Sequence, residues 1–448
     1  MSQEKASEIR KKIQELTRLY YQEQFGEKKP FEPGDRISYG GRYFDEKEIV
    51  SLVDSSLDFW LTSGKYCSQF ETEFSAYLGT SFCSLTNSGS SANLLAFMAL
   101  TSPTLKEKRI KPGDEVITVA CGFPTTIAPI MQYGAIPVFI DVTLPTYNLD
   151  VTMLEEALSP KTKAVMAAHT LGNPFNLRAV TEFCKKNKLW LIEDNCDALG
   201  STYDMPKGRK FTGTIGDLGT SSFYPPHHMT MGEGGAIYTS SGQLRRLVES
   251  FRDWGRDCYC ASGKDDTCHH RFDGQYGELP AGYDHKYVYS HLGYNLKATE
   301  MQAAIGVEQL KKLPGIIEAR RENWQYLRDA LEPLADVFIL PEATEYSQPS
   351  WFGFLLTVRE DADFSREEIV RELEGNNIQT RMLFAGNLIY HPCFDLYRAS
   401  QEGYRVVGEL KNTDIVMNQT FWIGVYPGMD KPRLDRMVDV ITAFVKER

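Results

Sequence analysis

The chain has 448 residues, a length that accommodates two or three domains at a soft average of about 150 residues each. Its 49 Lys+Arg against 60 Asp+Glu give a net charge of −11, which argues against the clustered basic surface that follows nucleic-acid phosphates. No run approaches the roughly 20 apolar residues needed to cross a bilayer, and the charged amino terminus lacks an apolar signal core, so the expectation is a cytoplasmic protein that binds neither nucleic acid nor membrane.

In chain order, residues 1–40 read as an amphipathic amino-terminal helix and an arm. From 41 to 315, short apolar runs alternate with helical patterns. The runs are EVITVA (115–120), IPVFIDV (136–142), KAVMAAHTL (163–171) and LWLIED (189–194); the helices include SANLLAFMAL (91–100) and LRAVTEFCKKNK (177–188). This rhythm predicts an α/β fold with a mostly parallel sheet buried on both faces. After 315 the pattern changes to a long charged helix, the strand WFGFLLTVRE and the helices FSREEIVRELEGNN and LDRMVDVITAFVKER, which predicts a smaller α+β domain over 316–448. Neither repeats nor low-complexity segments interrupt the chain.

Three segments carry chemistry. Thr86-Asn87-Ser88-Gly89-Ser90-Ser91 precedes an apolar helix, and a helix amino terminus fed by a small-residue turn offers N–H groups, hydroxyls and a positive dipole end to a phosphate. A simple helix cap is the plain alternative. Glu193-Asp194 close a buried strand, where a carboxylate can hold a pyridine nitrogen protonated or merely cap the next helix. The third segment is Ser221-Ser222-Phe223-Tyr224-Pro225-Pro226-His227-His228, followed by Gly232-Glu233-Gly234-Gly235.

In order and spacing these segments resemble the fold-type I, pyridoxal-phosphate-dependent aminotransferases of nucleotide-linked keto-sugars, which carry Ser-Phe-x-x-x-Lys followed by Gly-Glu/Asp-Gly-Gly. The resemblance extends to PGDEVITVACGFPTT (112–126) and HLGYNLKATEMQAAIG (291–306), about two thirds of the chain. It implies a large coenzyme-binding domain with a smaller carboxyl-terminal α+β domain. It also implies that Asp194 meets the pyridine nitrogen, that Phe123 stacks on the ring, and that Gly89, Ser90 and Ser222 hold the phosphate. Asn295 would reach the phosphate of a neighbouring subunit in a homodimer, and Asp197 would lie on the coenzyme O3′ side. Tyr224 lies between Ser222 and His227 as an orienting or packing residue. Arg381 is a candidate contact for the sugar diphosphate, with a surface ion pair as the alternative.

One departure governs the chemistry: His227 stands where the family has its lysine, and no Lys occurs from 211 to 263. Imidazole cannot hold the coenzyme covalently, yet near neutral pKa it remains a competent general base. Pyridoxamine phosphate bound without a covalent link, with His227 moving the proton, would let the hydroxyl beside the imine carbon leave.

Nine cysteines, an odd number, do not suggest a disulfide framework. Cys258-x-Cys260-x7-Cys268 lie in a charged loop within 250–285, and Cys196 follows Asp194 by two residues. By spacing alone the four suit structural zinc, an iron–sulfur cluster, or ordinary buried thiols. The combination of this set with His227 resembles one branch of the family, the pyridoxamine-phosphate-dependent 3-dehydrases of CDP-linked 4-keto-6-deoxyhexoses. That branch implies a [2Fe–2S] cluster on Cys196, Cys258, Cys260 and Cys268. Its electrons would come from an NAD(P)H-dependent flavin and iron–sulfur reductase or a ferredoxin, in 3,6-dideoxysugar biosynthesis for lipopolysaccharide O antigen. The competing readings are a cluster-free keto-sugar 3-dehydratase, a nucleotide-sugar aminotransferase, and a non-catalytic or zinc-stabilised binding protein.

Overall fold

The computed structural model describes residues 3–27, 29–260, 263–267 and 269–448. Eight strands form the central sheet: β1 (Phe82–Thr86), β2 (Glu115–Val119), β3 (Ile136–Ile140), β4 (Thr162–Ala168), β5 (Trp190–Asp194), β6 (Leu218–Ser222), β7 (Gly235–Thr239) and β8 (Arg405–Val406). Their spatial order is β1-β7-β6-β5-β4-β2-β3-β8. The run from β6 to β8 is parallel, whereas β7 is antiparallel to both β1 and β6. The α/β expectation is met, and each apolar run predicted to be a strand is one.

Alternation along the strands explains why these runs are apolar throughout. Ile117, Val165 and Leu191 face one core cluster, while their neighbours Val116, Met166 and Ile192 face another. A strand buried on both faces has no polar side to show. Helices Gly89–Ala99 and Gly242–Arg252 cover the second face, and helix Leu177–Asn187 packs on the first.

Beyond the sheet, strands Phe338–Ile339, Gly353–Val358 and Thr420–Gly424 form a small antiparallel sheet. It shares a core with helices Arg366–Gly375 and Lys431–Lys446. The helix Glu300–Leu331, opened by a Thr299–Gln302 capping box, runs through residue 315 without a break, so the change of sequence character falls inside one continuous element. The later chain also returns to the large sheet: β8 pairs with β3, and Leu388, Phe394 and Leu410 pack against Phe139. Among the described residues, no helix is long and apolar enough to cross a membrane.

Candidate active site

The carboxyl ends of β1, β5 and β6 lie along one edge of the sheet, because Thr86 and Ser222 flank Gly235 of β7 and β5 runs parallel to β6. Ligands of open α/β sheets bind at such ends. Ser88 caps helix Gly89–Ala99, its hydroxyl accepting from the Ser91 N–H at 3.1 Å, which leaves Ser90 exposed at the positive end of the helix. The turn is tightly built. A Cβ on Gly89 would lie 2.3 Å from Ser222 Cβ, and one on Gly235 would lie 2.3 Å from the Ser88 carbonyl oxygen. Only glycine allows this approach, which brings the predicted phosphate residues Gly89, Ser90 and Ser222 together.

The two acids that end β5 point to different jobs. Glu193 accepts from the Gly213 and Ile215 N–H groups at 2.7 and 2.8 Å and pairs with the buried His169, so it braces the loop before β6. Asp194 Oδ2 accepts from Asn93 Nδ2 and Thr126 Oγ1, both at 2.7 Å. Asn93 is fixed in turn by Thr220, whose hydroxyl donates to its Oδ1 at 2.6 Å. Sequence reasoning missed Asn93, Thr126 and Thr220. The available signal was their place four residues beyond Gly89 on the same helix face, three beyond Phe123, and two before Ser222.

Asp197 Oδ1 lies 3.2 Å from His227 Nε2. Burial pushes the Asp197 carboxyl above its ordinary range, and the contact with His227 opposes that shift. The other atom of each group, Asp197 Oδ2 and His227 Nδ1, is buried without a hydrogen-bond partner in the protein. Asp197, expected beside the coenzyme oxygen, is therefore engaged with the histidine. The adjacent His228 is a core residue: its Nε2 donates to the Ser350 carbonyl at 2.5 Å, and burial holds its pKa well below the ordinary 6.5. The Phe352 ring lies 5.3 Å from that of His227, and Tyr224 meets His227 edge-on at 6.2 Å. Phe123 and Tyr224 leave 49% and 47% of their surface exposed, which suits a flat ligand.

These residues fit a pyridoxal-type coenzyme. A helix amino terminus and hydroxyls suit its phosphate, a braced carboxylate its ring nitrogen, and an exposed aromatic its face. The unpartnered Nδ1 and Oδ2 are buried polar atoms of the kind a bound coenzyme satisfies. Two predicted residues make other contacts within the chain. Arg381 stacks on Tyr39 at 4.0 Å and bonds the Thr380 carbonyl, in place of an ion pair. Asn295 is exposed and bridges Asp253 through the backbone.

The cysteine loop is built differently. Cys258 and Cys260 line a small pocket with Asp266, Arg271, His285 and Lys286, at one end of a cleft of about 1140 Å³ that does not include His227. Cys196 stays by Asp194, where burial first and the carboxylate second push its thiol well above the ordinary range. Cys268 lies outside the described residues. Among the described residues no three His, Cys, Asp or Glu converge as metal ligands, so Cys196, Cys258 and Cys260 do not form a shared site.

Residues 44–442 match the DegT/DnrJ/EryC1/StrS aminotransferase family. The chain is 52% identical over 440 residues to the lipopolysaccharide biosynthesis protein RfbH of Salmonella typhimurium, covering 98% of each. It is 49% identical over 443 residues to a dTDP-4-dehydro-2,6-dideoxy-D-glucose 3-dehydratase of Saccharopolyspora spinosa, covering 99% of this chain and 93% of the relative. Its fold superposes on the E. coli GDP-4-keto-6-deoxy-D-mannose-3-dehydratase with bound hydrated PLP at a TM-score of 0.79 and 28% identity, covering 91% of this chain and all of the other. The architecture is that of a fold-type I transferase.

Proposed function

Because the chain belongs to the DegT/DnrJ/EryC1/StrS aminotransferase family, we propose that it removes the C3 hydroxyl of a nucleotide-linked 4-keto-6-deoxyhexose, with pyridoxamine phosphate as coenzyme and His227 as the base. The observation that carries this reading is His227 itself, in the place of the family's lysine, 3.2 Å from Asp197 and with Nδ1 unpartnered. When bound, the coenzyme supplies an amino group for the C4 ketone and an electron sink that lets the neighbouring hydroxyl leave. The protein's part is positioning and proton transfer. Gly89, Ser90 and Ser222 cradle the phosphate, Asp194 answers the ring nitrogen, and Phe123 covers the ring. With the Nε2 proton donated to Asp197, His227 Nδ1 is the atom free to accept and return a proton. No amine is handed on through a lysine, so the product is a deoxygenated sugar and not an amino sugar.

The finer reading adds CDP as the nucleotide, a homodimer that uses Asn295, and two electrons delivered through a [2Fe–2S] cluster on Cys196, Cys258, Cys260 and Cys268. A flavin and iron–sulfur NAD(P)H reductase, or a ferredoxin, would be the donor. The cysteine pattern and the family resemblance support it. Among the described residues Cys196, Cys258 and Cys260 form no group of metal ligands, and Cys268 lies outside those residues. A second reading, a cluster-free 3-dehydratase recharged by glutamate, is favoured by the likeness to the GDP-4-keto-6-deoxy-D-mannose-3-dehydratase.

Iron and acid-labile sulfide in anaerobically purified protein, with the visible spectrum, decide between them. Equal iron and sulfide, lost in Cys258→Ser, together with strict dependence on an electron donor, is the result expected of the deoxygenase. Zinc or no metal after reconstitution, with turnover that needs no donor, would establish the cluster-free enzyme.

A further inference from the structure

Arg320 is buried to 2% exposure near the middle of helix Glu300–Leu331, yet it pairs with no carboxylate among the described residues. Its guanidinium reaches backbone carbonyls on two segments that are distant in sequence. Nη2 donates to the Pro226 oxygen at 3.0 Å and approaches the His227 oxygen at 3.5 Å. Nη1 donates to the Phe352 oxygen at 3.1 Å and to that of Trp351 at 3.4 Å. One turn further along the helix, Trp324 stacks on Trp351 with ring centroids 4.0 Å apart and planes 1° from parallel. The same helix face thus grips Trp351–Phe352 twice, and Phe352 packs its ring on His227. From the opposite side the arm presses on the loop, since a Cβ on Gly40 would lie 2.9 Å from Pro226 Cβ.

A buried guanidinium that bonds only carbonyls carries a large desolvation cost, which packing alone does not offset. The fork geometry of arginine fits such bridging, whereas the ammonium of lysine reaches fewer acceptors at fixed angles. We propose that Arg320 is a positioning residue for His227: it ties the Pro226–His227 backbone to Trp351–Phe352 and so holds the imidazole against Asp197 in the geometry that proton transfer requires. This rests on His227 being the base. The charged and titratable groups around that imidazole are Asp197 from the β5 end, Arg320 from the long helix and His228 from its own loop.

The test uses Arg320→Lys, which keeps the charge, and Arg320→Met, which removes it. In the coenzyme-free protein, carbethoxylation of His227 is followed by fragment mass spectrometry, with the fully buried His169 as an internal control. Several-fold faster modification of His227 in both variants is expected, with His169 unchanged and pyridoxamine phosphate binding retained. Turnover should fall about 10- to 100-fold with KM little changed, the signature of a misplaced catalytic group. Folded variants with wild-type His227 reactivity and turnover would overturn the proposal. So would variants that fail to fold or that expose His169 as well, because Arg320 would then be a core residue only. If the wild type shows no dehydratase activity on any nucleotide keto-sugar, the proposed function fails, while the reactivity of His227 still reports on the clamp.

Discussion

Asp197 and His227 leave the ends of two adjacent strands, β5 and β6, and meet at 3.2 Å. Cys196 leaves the same end of β5, whereas Cys258 and Cys260 sit on a loop beyond helix Gly242–Arg252, and among the described residues the three form no group of metal ligands. The histidine side is fixed by strand ladders, by glycines pressed against neighbouring backbone, and by a buried arginine. The cysteine side is tied by isolated bridges such as Asp253–Asn295 and Arg256–Tyr289 and by exposed polar contacts. Groups placed on strand ends are organised before any ligand binds, whereas thiols on a long loop depend on a further agent to bring them together.

The largest expected break in that comparison is His227→Asn. Turnover should drop about 10²- to 10⁴-fold while spectrophotometric titration shows coenzyme affinity unchanged. Loss of less than tenfold (about 1.4 kcal/mol) would remove His227 from the role of base. Gly89→Ala comes next, since its Cβ would collide with Ser222 at 2.3 Å between two backbones held in regular elements. A destabilisation of about 1–3 kcal/mol is expected in denaturant melts, along with weakened coenzyme binding. Gly375→Ala, with nothing within 4 Å of the new Cβ, serves as its neutral control.

His228 offers a smaller effect that depends on pH. Burial keeps the folded imidazole neutral well below the ordinary 6.5, whereas the unfolded chain takes up the proton. The unfolded state then binds more protons, so stability is full above about pH 6.5 and declines as pH falls below it. The advantage of the wild type over His228→Gln should shrink by about 1.4 kcal/mol between about pH 7.5 and about pH 5.5 in thermal melts. An equal advantage at both values would mean that the ring is charged in the fold. The smallest effect belongs to the loop: Cys258→Ser should leave the melting of metal-free protein within about 0.5 kcal/mol of the wild type. A larger loss would show that this side is as well packed as the other.

Much of the histidine side was legible in the sequence. Four apolar runs are strands, the small-residue turn caps a helix, and counting from Ser222-Phe223 separates His227 from His228, which the structure places beside Asp197 and in the core. Asn93 and Thr126 were not legible as partners of Asp194, because their hydroxyl and amide converge only when helix Gly89–Ala99 and the turn after Phe123 are packed on β5. Arg320 lies in the long charged helix, where no local pattern sets it apart, and its burial follows from the docking of Trp351–Phe352 on that helix. Arg381 reads as a ligand contact or a surface ion pair and lies on Tyr39, since the arm of residues 37–41 passes beside it.

By itself the sequence determined the α/β class and the apolar strands buried on both faces, because these depend on local periodicity, while the histidine in place of a lysine was legible through the resemblance to the family's motif. Only the tertiary structure decided that Asn93 and Thr126 brace Asp194, that Asp197 turns to His227, and that Arg320 bonds the Pro226–His227 backbone. Each of these pairs residues tens to hundreds of positions apart, and such contacts are set by how the strands and helices pack, which no local pattern encodes.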